Sequence, residues 1–231
     1  FSVRCIADDK LTFDNIASMQ DMTPEICAKA QTHQTTTLRD IRDGNTYTVA
    51  KLKDGKCWMT RNLRIIDKTI TPADSDVTSN YTIPASSING FNYNNVSNAY
   101  INSDSGFYTW YTVTAGTGTT ALSTNGHNTT VSICPKGWRL PTSGNSSNEF
   151  QTLYNNYNSS SALRSNPVNL ALSGLVYSSS RGQGSYGRYW SSTARSSDGV
   201  YAHDLYLNAS TVYPTYYDGK NLGSSVRCIA R

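Results

Sequence analysis

The sequence predicts an α+β fold made mostly of antiparallel strands, with one or two short helices and long loops. Its 231 residues are 37% apolar and 16% charged, and both fractions lie below the globular averages of about 45–50% and 25%. Serine, threonine, asparagine, glycine and 16 tyrosines fill the difference. This composition excludes coiled coils and lysine-rich cytosolic enzymes, whose solvated helices need Glu, Lys, Arg and Ala. The aromatic content of 11% argues equally against a disordered chain.

Helix signals come first along the chain, and hairpin signals follow them. An amphipathic stretch spans 15–22, Thr23 is a suitable helix cap and Pro24 suits a first turn, so we expect a brief helix through 26–30. Three strands with Asp-Gly turns between them are then predicted as a β-meander, at residues 37–41, 46–52 and 56–62.

The middle of the chain is an irregular insertion at about residues 67–130, in which only 106–111 has a strand pattern. The pattern of residues 131–142 predicts a buried strand followed by a turn. A helix follows, which Thr142 or Ser143 can cap, with apolar residues at helical spacing from Phe150 onward. Four further strands are predicted at 168–177, 187–194, 200–208 and 224–230.

Five cysteines lie far apart, at positions 5, 27, 57, 134 and 228. Without a CxxC spacing they fit neither a zinc ribbon nor a thioredoxin motif, so we expect structural disulfides, an oxidising compartment and one cysteine left over. The hexapeptide at 2–7 recurs unchanged at 225–230. We therefore expect residues 1–10 to end a preceding repeat, with Cys5 unpaired in the single domain that spans 11–231. Alternatively this strand pairs with its twin and Cys5 bonds to a neighbouring subunit.

The charges and the apolar runs of the chain limit which partners and which location we expect. The formal net charge of +4 is modest and its basic residues are scattered, which argues against nucleic acid. No run approaches the roughly 18 apolar residues of a membrane span, and the first residues do not form a signal peptide. We expect a mature or excised chain outside the cell or at its surface, without membrane insertion.

Four motifs occur in order along the chain: DGKCWMTRNL at 54–63, CPKGWRLPT at 134–142, YWSST at 189–193 and SVRC at 225–228. Over about residues 19–231 the chain resembles the Fibrobacter succinogenes major paralogous domain, and its lead-in at 19–27 is most similar to variants from Saccharibacteria. The resemblance implies a C-type-lectin-like fold, related to domains of the formylglycine-generating-enzyme type, in secreted or surface proteins of bacteria. It also implies a long-range bridge between Cys134 and Cys228, which leaves Cys27 and Cys57 as the local pair.

We expect the tryptophans and arginines of these motifs to stabilise the fold. Trp58, Trp138 and Trp190 are predicted to fill the core of a loop-rich domain. Arg139 and Arg227 flank buried positions, and we expect them to hold loops through hydrogen bonds to carbonyl groups.

The sequence offers little for catalysis. His33, His127 and His203 stand in unlike contexts, and none lies near a Gly-x-Ser-x-Gly motif or a paired carboxylate. Formylglycine-generating enzymes work through cysteines in their C-terminal half, where this chain has only Cys134 and Cys228, the implied bridge. A Glu-Pro-Asn or Gln-Pro-Asp triplet for calcium is absent. We predict no enzymatic activity, no cofactor and no metal site.

Tyrosines interleaved with serine and glycine mark the segment 177–221. Tyrosine supplies large rigid contacts with few rotors, while Ser, Gly and Asn supply adaptable hydrogen bonds, as in antibody binding loops. In lectin-like domains the corresponding C-terminal part displays the ligand-binding face, although such residues can also simply cover a sheet. The predicted ligand-binding residues are Tyr177, Tyr186, Arg188, Tyr201, His203, Tyr213, Tyr216, Tyr217, Asp218 and Asn221.

The function predicted from these features is a non-enzymatic, adhesin-like binding module that is secreted or held at the cell surface. Its partner would be a protein or glycan on another cell surface. The alternative is a structural subunit of a surface layer or extracellular filament, with self-association through the terminal strand, as the repeated end motif suggests.

Overall fold

The computed structural model describes residues 11–84, 106–118, 128–177, 180–195 and 199–231. The strands are β1 Thr35–Arg39, β2 Thr46–Lys51, β3 Cys57–Met59, β4 Lys68–Ile70, β5 Tyr81–Ile83, β6 Trp138–Arg139, β7 Leu175–Val176, β8 Ser180–Arg181, β9 Tyr186–Ala194, β10 Tyr201–Asn208, β11 Val212–Gly219 and β12 Ile229–Ala230. The α-helices are α1 Pro24–Lys29, α2 Trp110–Val113, α3 Glu149–Tyr157 and α4 Ser160–Arg164, and a 3-10 helix spans Met19–Asp21. The predicted α+β class with mostly antiparallel strands is confirmed, although the described residues hold four short α-helices rather than one or two.

A five-stranded antiparallel sheet brings the two ends of the described chain together. Its order is β1-β2-β3-β12-β6, so that the last strand lies between two strands that precede it. Ile229 of β12 pairs with Trp58 on one side and with Arg139 on the other. Disulfides join Cys27 to Cys57 and Cys134 to Cys228, the two pairs that the family resemblance implies.

A second antiparallel sheet consists of the long strands β9, β10 and β11, in the order β11-β10-β9. The register shifts on both sides of Asp204, once against each neighbouring strand. Such irregularities twist a strand and redirect its side chains. Two smaller sheets, β4-β5 and β7-β8, complete the strand pairing.

Local hydrogen bonds explain where the helices begin. Thr23 accepts from the amide of Ile26 and Pro24 is the first residue of α1, as predicted, although the helix starts two residues earlier than 26. Asn148 caps α3 by accepting from Gln151, so Thr142 and Ser143 are not its cap. The amphipathic stretch at 15–22 forms a turn and the 3-10 helix.

The tryptophans predicted for the core are buried, and their indole N–H groups are satisfied. Trp138 donates to the carbonyl of Met19 and Trp190 to that of Tyr108, both at 2.7 Å. Trp58 donates to Asp54 at 2.8 Å. Together with the side chains of α3, β9 and β10, they form two apolar clusters.

Several strand predictions were wrong in extent or in kind. In the segment 106–111, Tyr108 forms only a single bridge to Ser224, and a helix begins at Trp110 because Thr109 caps it. Of 131–142 only Trp138–Arg139 is a strand.

Strands 168–177 and 224–230 are also much shorter than predicted, with two residues each in β7 and β12. Strand β11 was missed. It contains Pro214, which lacks an amide donor and is tolerated because β11 is an edge strand.

Two predictions lie outside the described residues. The terminal repeat at 1–10 with Cys5 is one of them, and His127 is the other. The predicted insertion at 67–130 is described in part, and this part contains β4, β5 and α2.

Candidate binding surface

Six tyrosines of the second sheet form one continuous set of ring contacts, which we call the tyrosine array. Its members are Tyr186, Tyr201, Tyr206, Tyr213, Tyr216 and Tyr217. Neighbouring ring centroids are 5.6 to 5.9 Å apart, for example 5.6 Å between Tyr206 and Tyr216 and 5.8 Å between Tyr216 and Tyr217. This spacing is typical of favourable aromatic pairs, so the rings support one another.

The strand register creates this array. Tyr206 in the central strand lies opposite Tyr213 of β11 and Arg188 of β9. Alternation along the same strand directs Leu205 and Leu207 into the apolar core. One side of β10 therefore anchors the sheet while the other side carries the rings.

The array is open to solvent at its β11 side. Tyr213 is 50% exposed, and Tyr216 and Tyr217 are each 40% exposed. A large aromatic side chain held at this exposure, in contact with others of its kind, is typical of an interaction site.

An ion cluster supports the centre of the array. The guanidinium of Arg188 lies 2.9 Å from Asp204 and 2.7 Å from Asp218. Its central carbon is 4.5 Å from the ring centroid of Tyr216 and 5.2 Å from that of Tyr206. Arg188 therefore holds two rings by cation–π contact while two carboxylates balance its charge.

Burial has a strong effect on Asp204, which is fully inaccessible. Loss of solvation raises the pKa of its carboxyl to about 7, with a further contribution from the charge of Asp218, although Arg188 favours the ionised form. Asp204 Oδ1 and Arg188 Nε are buried without a hydrogen-bond partner. Burial also raises the pKa of Asp218.

A second arginine lies at the other end of the array. The guanidinium carbon of Arg195 is 3.6 Å from the ring centroid of Tyr217 and 5.5 Å from that of Tyr201. His203 approaches Tyr217 edge-on at 6.4 Å, and its Nδ1 lies 3.1 Å from the carbonyl oxygen of Tyr216. Burial lowers the pKa of His203.

The structure places eight of the ten predicted ligand residues on these three strands. The other two lie outside them: Tyr177 follows β7 with 37% exposure, and Asn221 follows β11. The predicted set did not include Tyr206, Arg195 or Asp204. Strand alternation indicates Tyr206, whereas no local signal marks Arg195 or Asp204, because their roles depend on partners from other strands.

A cleft of about 260 Å³ is lined by residues outside the array. Its lining residues are Asp76, Asn128, Thr129, Thr130, Val131, Ser132, Arg139, Leu140, Thr142, Ser192 and Arg231. Its charges are already neutralised, since Arg139 pairs with Glu149 at 2.5 Å and Arg231 with Asp76. None of the predicted ligand residues lines it, so the tyrosine array is the stronger candidate.

Among the described residues, no three or more His, Cys, Asp or Glu side chains are grouped so that they could hold a metal ion. Within the same ranges, no helix is long and apolar enough to cross a membrane. No family model, curated protein or solved structure matches the chain.

Proposed function

We propose that this chain is a non-enzymatic binding module that holds a protein or glycan of another cell through the tyrosine array. The observation that carries the proposal is the array itself: six rings in mutual contact, open to solvent along β11 and held from within by the Arg188 ion cluster. Rigid aromatic side chains give large contact areas at a low entropic cost. A surface that served only to cover the sheet would not need a buried charge cluster to hold its rings.

The proposed fold is C-type-lectin-like. Support comes from the closing of the main sheet by the C-terminal strand, from the separate three-stranded sheet, and from a long-range disulfide beside a local one. The four motifs at 54–63, 134–142, 189–193 and 225–228 support the same assignment.

The proposed location is outside the cell or at its surface. Two disulfides join elements of the main sheet to the segments beside it, and such bridges persist in oxidising compartments. A binding surface in this location meets the molecules of other cells.

The test uses the purified chain on whole cells and on a glycan array. The double variant Tyr213→Ala/Tyr216→Ala removes two exposed rings, and we expect it to abolish binding. The control is Tyr157→Ala, since Tyr157 is a partly exposed tyrosine on α3 that contacts His33 instead of the array. Equal binding by the double variant and the wild type would contradict the proposal.

The structural alternative rests on the hexapeptide shared by 2–7 and 225–230. It predicts that the purified chain forms ordered polymers, visible by electron microscopy and as large species in sedimentation. A strictly monomeric chain whose cell binding depends on Tyr213 and Tyr216 would eliminate this alternative.

A further inference from the structure

We infer that the ligand of the tyrosine array is an acidic polysaccharide, whose carboxylates pair with Arg195 while its sugar rings pack on Tyr216 and Tyr217. This inference rests on the proposed function and specifies the chemical class of the ligand. It follows from a difference between the two arginines of the array.

Arg188 cannot recruit an anion. Its side chain is largely buried, and carboxylates lie 2.9 Å and 2.7 Å away, on Asp204 and Asp218. The positive charge is therefore balanced inside the protein. Arg188 positions the rings of Tyr206 and Tyr216, and an approaching ligand meets those rings rather than its charge.

Arg195 differs in each of these respects. It is only partly buried, and no carboxylate in the described part of the chain lies within ion-pair distance of it. Its guanidinium packs against the Tyr217 ring, at 3.6 Å from the centroid. Stacking uses the face of a guanidinium, whereas its N–H donors point outward in the plane and match the two oxygens of a carboxylate.

Within the described ranges, the groups near Arg195 do not oppose an anion. Among the described residues, the rings that Arg195 contacts are those of Tyr201 and Tyr217, which bear no carboxylate. His203 adds no negative charge, and burial lowers its pKa, which favours the neutral imidazole. The two carboxylates of the array are held by Arg188.

The exposed rings select a sugar chain rather than a compact apolar partner. Tyr213, Tyr216 and Tyr217 are exposed in succession, with adjacent centroids 5.9 Å and 5.8 Å apart. A pyranose has one face of C–H groups, which packs on an aromatic ring, and a rim of hydroxyls that bonds to polar edges. A chain of such units repeats this contact from ring to ring, and a uronic acid unit adds the carboxylate.

The experiment measures binding of the full chain to polygalacturonate, alginate and hyaluronan, and to the methyl ester of polygalacturonate. The ester keeps the sugar backbone and removes the charge. We expect at least one acid polymer to bind, and Arg195→Glu to weaken this binding by about tenfold or more, which corresponds to one charge-assisted hydrogen bond. Arg195→Gln, which keeps the size of the side chain, should weaken it less. Added salt should weaken binding by the wild type, because the pair is exposed.

The matched control is Arg164→Glu, which makes the same charge change at an exposed position on α4. We expect it to leave the affinity within about twofold, since distant exposed charges are screened. Equal losses in Arg164→Glu and Arg195→Glu would overturn the inference, because they would show a nonspecific effect of net charge. Equal binding of a polygalacturonate ester and its acid would overturn it as well.

Three further outcomes distinguish a failure of this inference from a failure of the proposed function. If none of the three acid polymers binds while Tyr213→Ala/Tyr216→Ala still abolishes cell binding, the acidic ligand is wrong and the binding module stands. If polyglutamate binds through Arg195 and the acid sugars do not, the partner is an acidic protein and the inference is also overturned. If the double tyrosine variant binds cells like the wild type, the proposed function itself fails.

Discussion

Arg188 and Asp204 form an ion pair of 2.9 Å inside the second sheet, where Asp204 is fully inaccessible to solvent. Desolvation of a carboxylate is costly, and a partner restores only part of the lost solvation. The same arginine holds the rings of Tyr206 and Tyr216. The charge state of one buried carboxyl is therefore coupled to the position of the exposed rings.

The first prediction concerns stability and pH. The pKa of Asp204 is raised to about 7 in the folded chain, mainly by burial, whereas in an unfolded chain an Asp carboxyl has a pKa of about 3.9. Between these values the folded state binds more protons, so its free energy of unfolding falls as pH rises, by at most about 1.4 kcal/mol per pH unit for one proton. Asp204→Asn should reduce this slope, as measured by urea unfolding from pH 4 to pH 8.

The control for this prediction is Asp14→Asn, the same substitution at an exposed position away from the sheet. It should leave the slope unchanged. The prediction fails if Asp204→Asn and the wild type lose stability equally over the same pH range. Part of the slope should persist in the variant, because burial also raises the pKa of Asp54 and of Asp76.

The second prediction concerns Arg227, which is 2% exposed. Its guanidinium donates to Asn62 and to the carbonyls of Met59 and Asn169, at 2.5, 3.1 and 2.7 Å. Arg227→Met removes these donors, and each buried acceptor that loses its partner costs about 1–3 kcal/mol. We expect a loss of several kcal/mol in urea unfolding. Arg164→Met at the exposed α4 position should change stability by less than about 0.5 kcal/mol, and a similar small loss at Arg227 would contradict this account.

Local sequence signals predicted the parts of the fold that local contacts determine. The meander of β1 to β3 follows from Asp-Gly turns, and α1 follows from the Thr23-Pro24 pair. The segment 131–134 has the apolar composition of a strand but remains irregular. There the amide of Ser132 donates to the carbonyl of Asp76 and that of Ile133 to the carbonyl of Val113 at the end of α2, which no periodicity indicates.

Composition indicated the candidate site, and the register of the strands determines which of its side chains meet. Tyrosine enrichment indicated the segment 177–221, and the strands bring most of those rings together. The pairing of Arg188 with Asp204 and Asp218 depends on irregularities on both sides of Asp204. Because such bulges arise from packing between strands, the sequence predicted neither this cluster nor the stacking of Arg195 on Tyr217.

The third prediction compares the two disulfides. Cys134 and Cys228 are 94 residues apart, whereas Cys27 and Cys57 are 30 apart. On the chain-entropy model these loops stabilise the fold by about 4.7 and about 3.7 kcal/mol. Replacing both cysteines of each pair by Ala should therefore cost more free energy of unfolding for the longer loop. Equal losses, or a larger loss for the shorter loop, would show that the packing of the half-cystines outweighs loop entropy.

The last prediction concerns Gly187, which lies between Tyr186 and Arg188 in β9. A methyl group on its Cα would overlap the carbonyl oxygen of Ala171 and lie 3.0 Å from Leu207 Cδ2. The backbone lies on one side of this position and the apolar core on the other, so a methyl group has no room. Gly187→Ala must therefore shift β9, and we expect it to lower the free energy of unfolding by about 1–3 kcal/mol.

The matched variant is Gly219→Ala near the end of β11, where the nearest atom belongs to the movable side chain of Asn221. We expect it to cost less than about 1 kcal/mol, because a surface side chain can move aside. Thermal unfolding measures both costs. A shift of β9 also moves Arg188 away from its two carboxylates, so Gly187→Ala should weaken cell binding as well. Unchanged stability and unchanged binding in this variant would show that the strand does not fix the array.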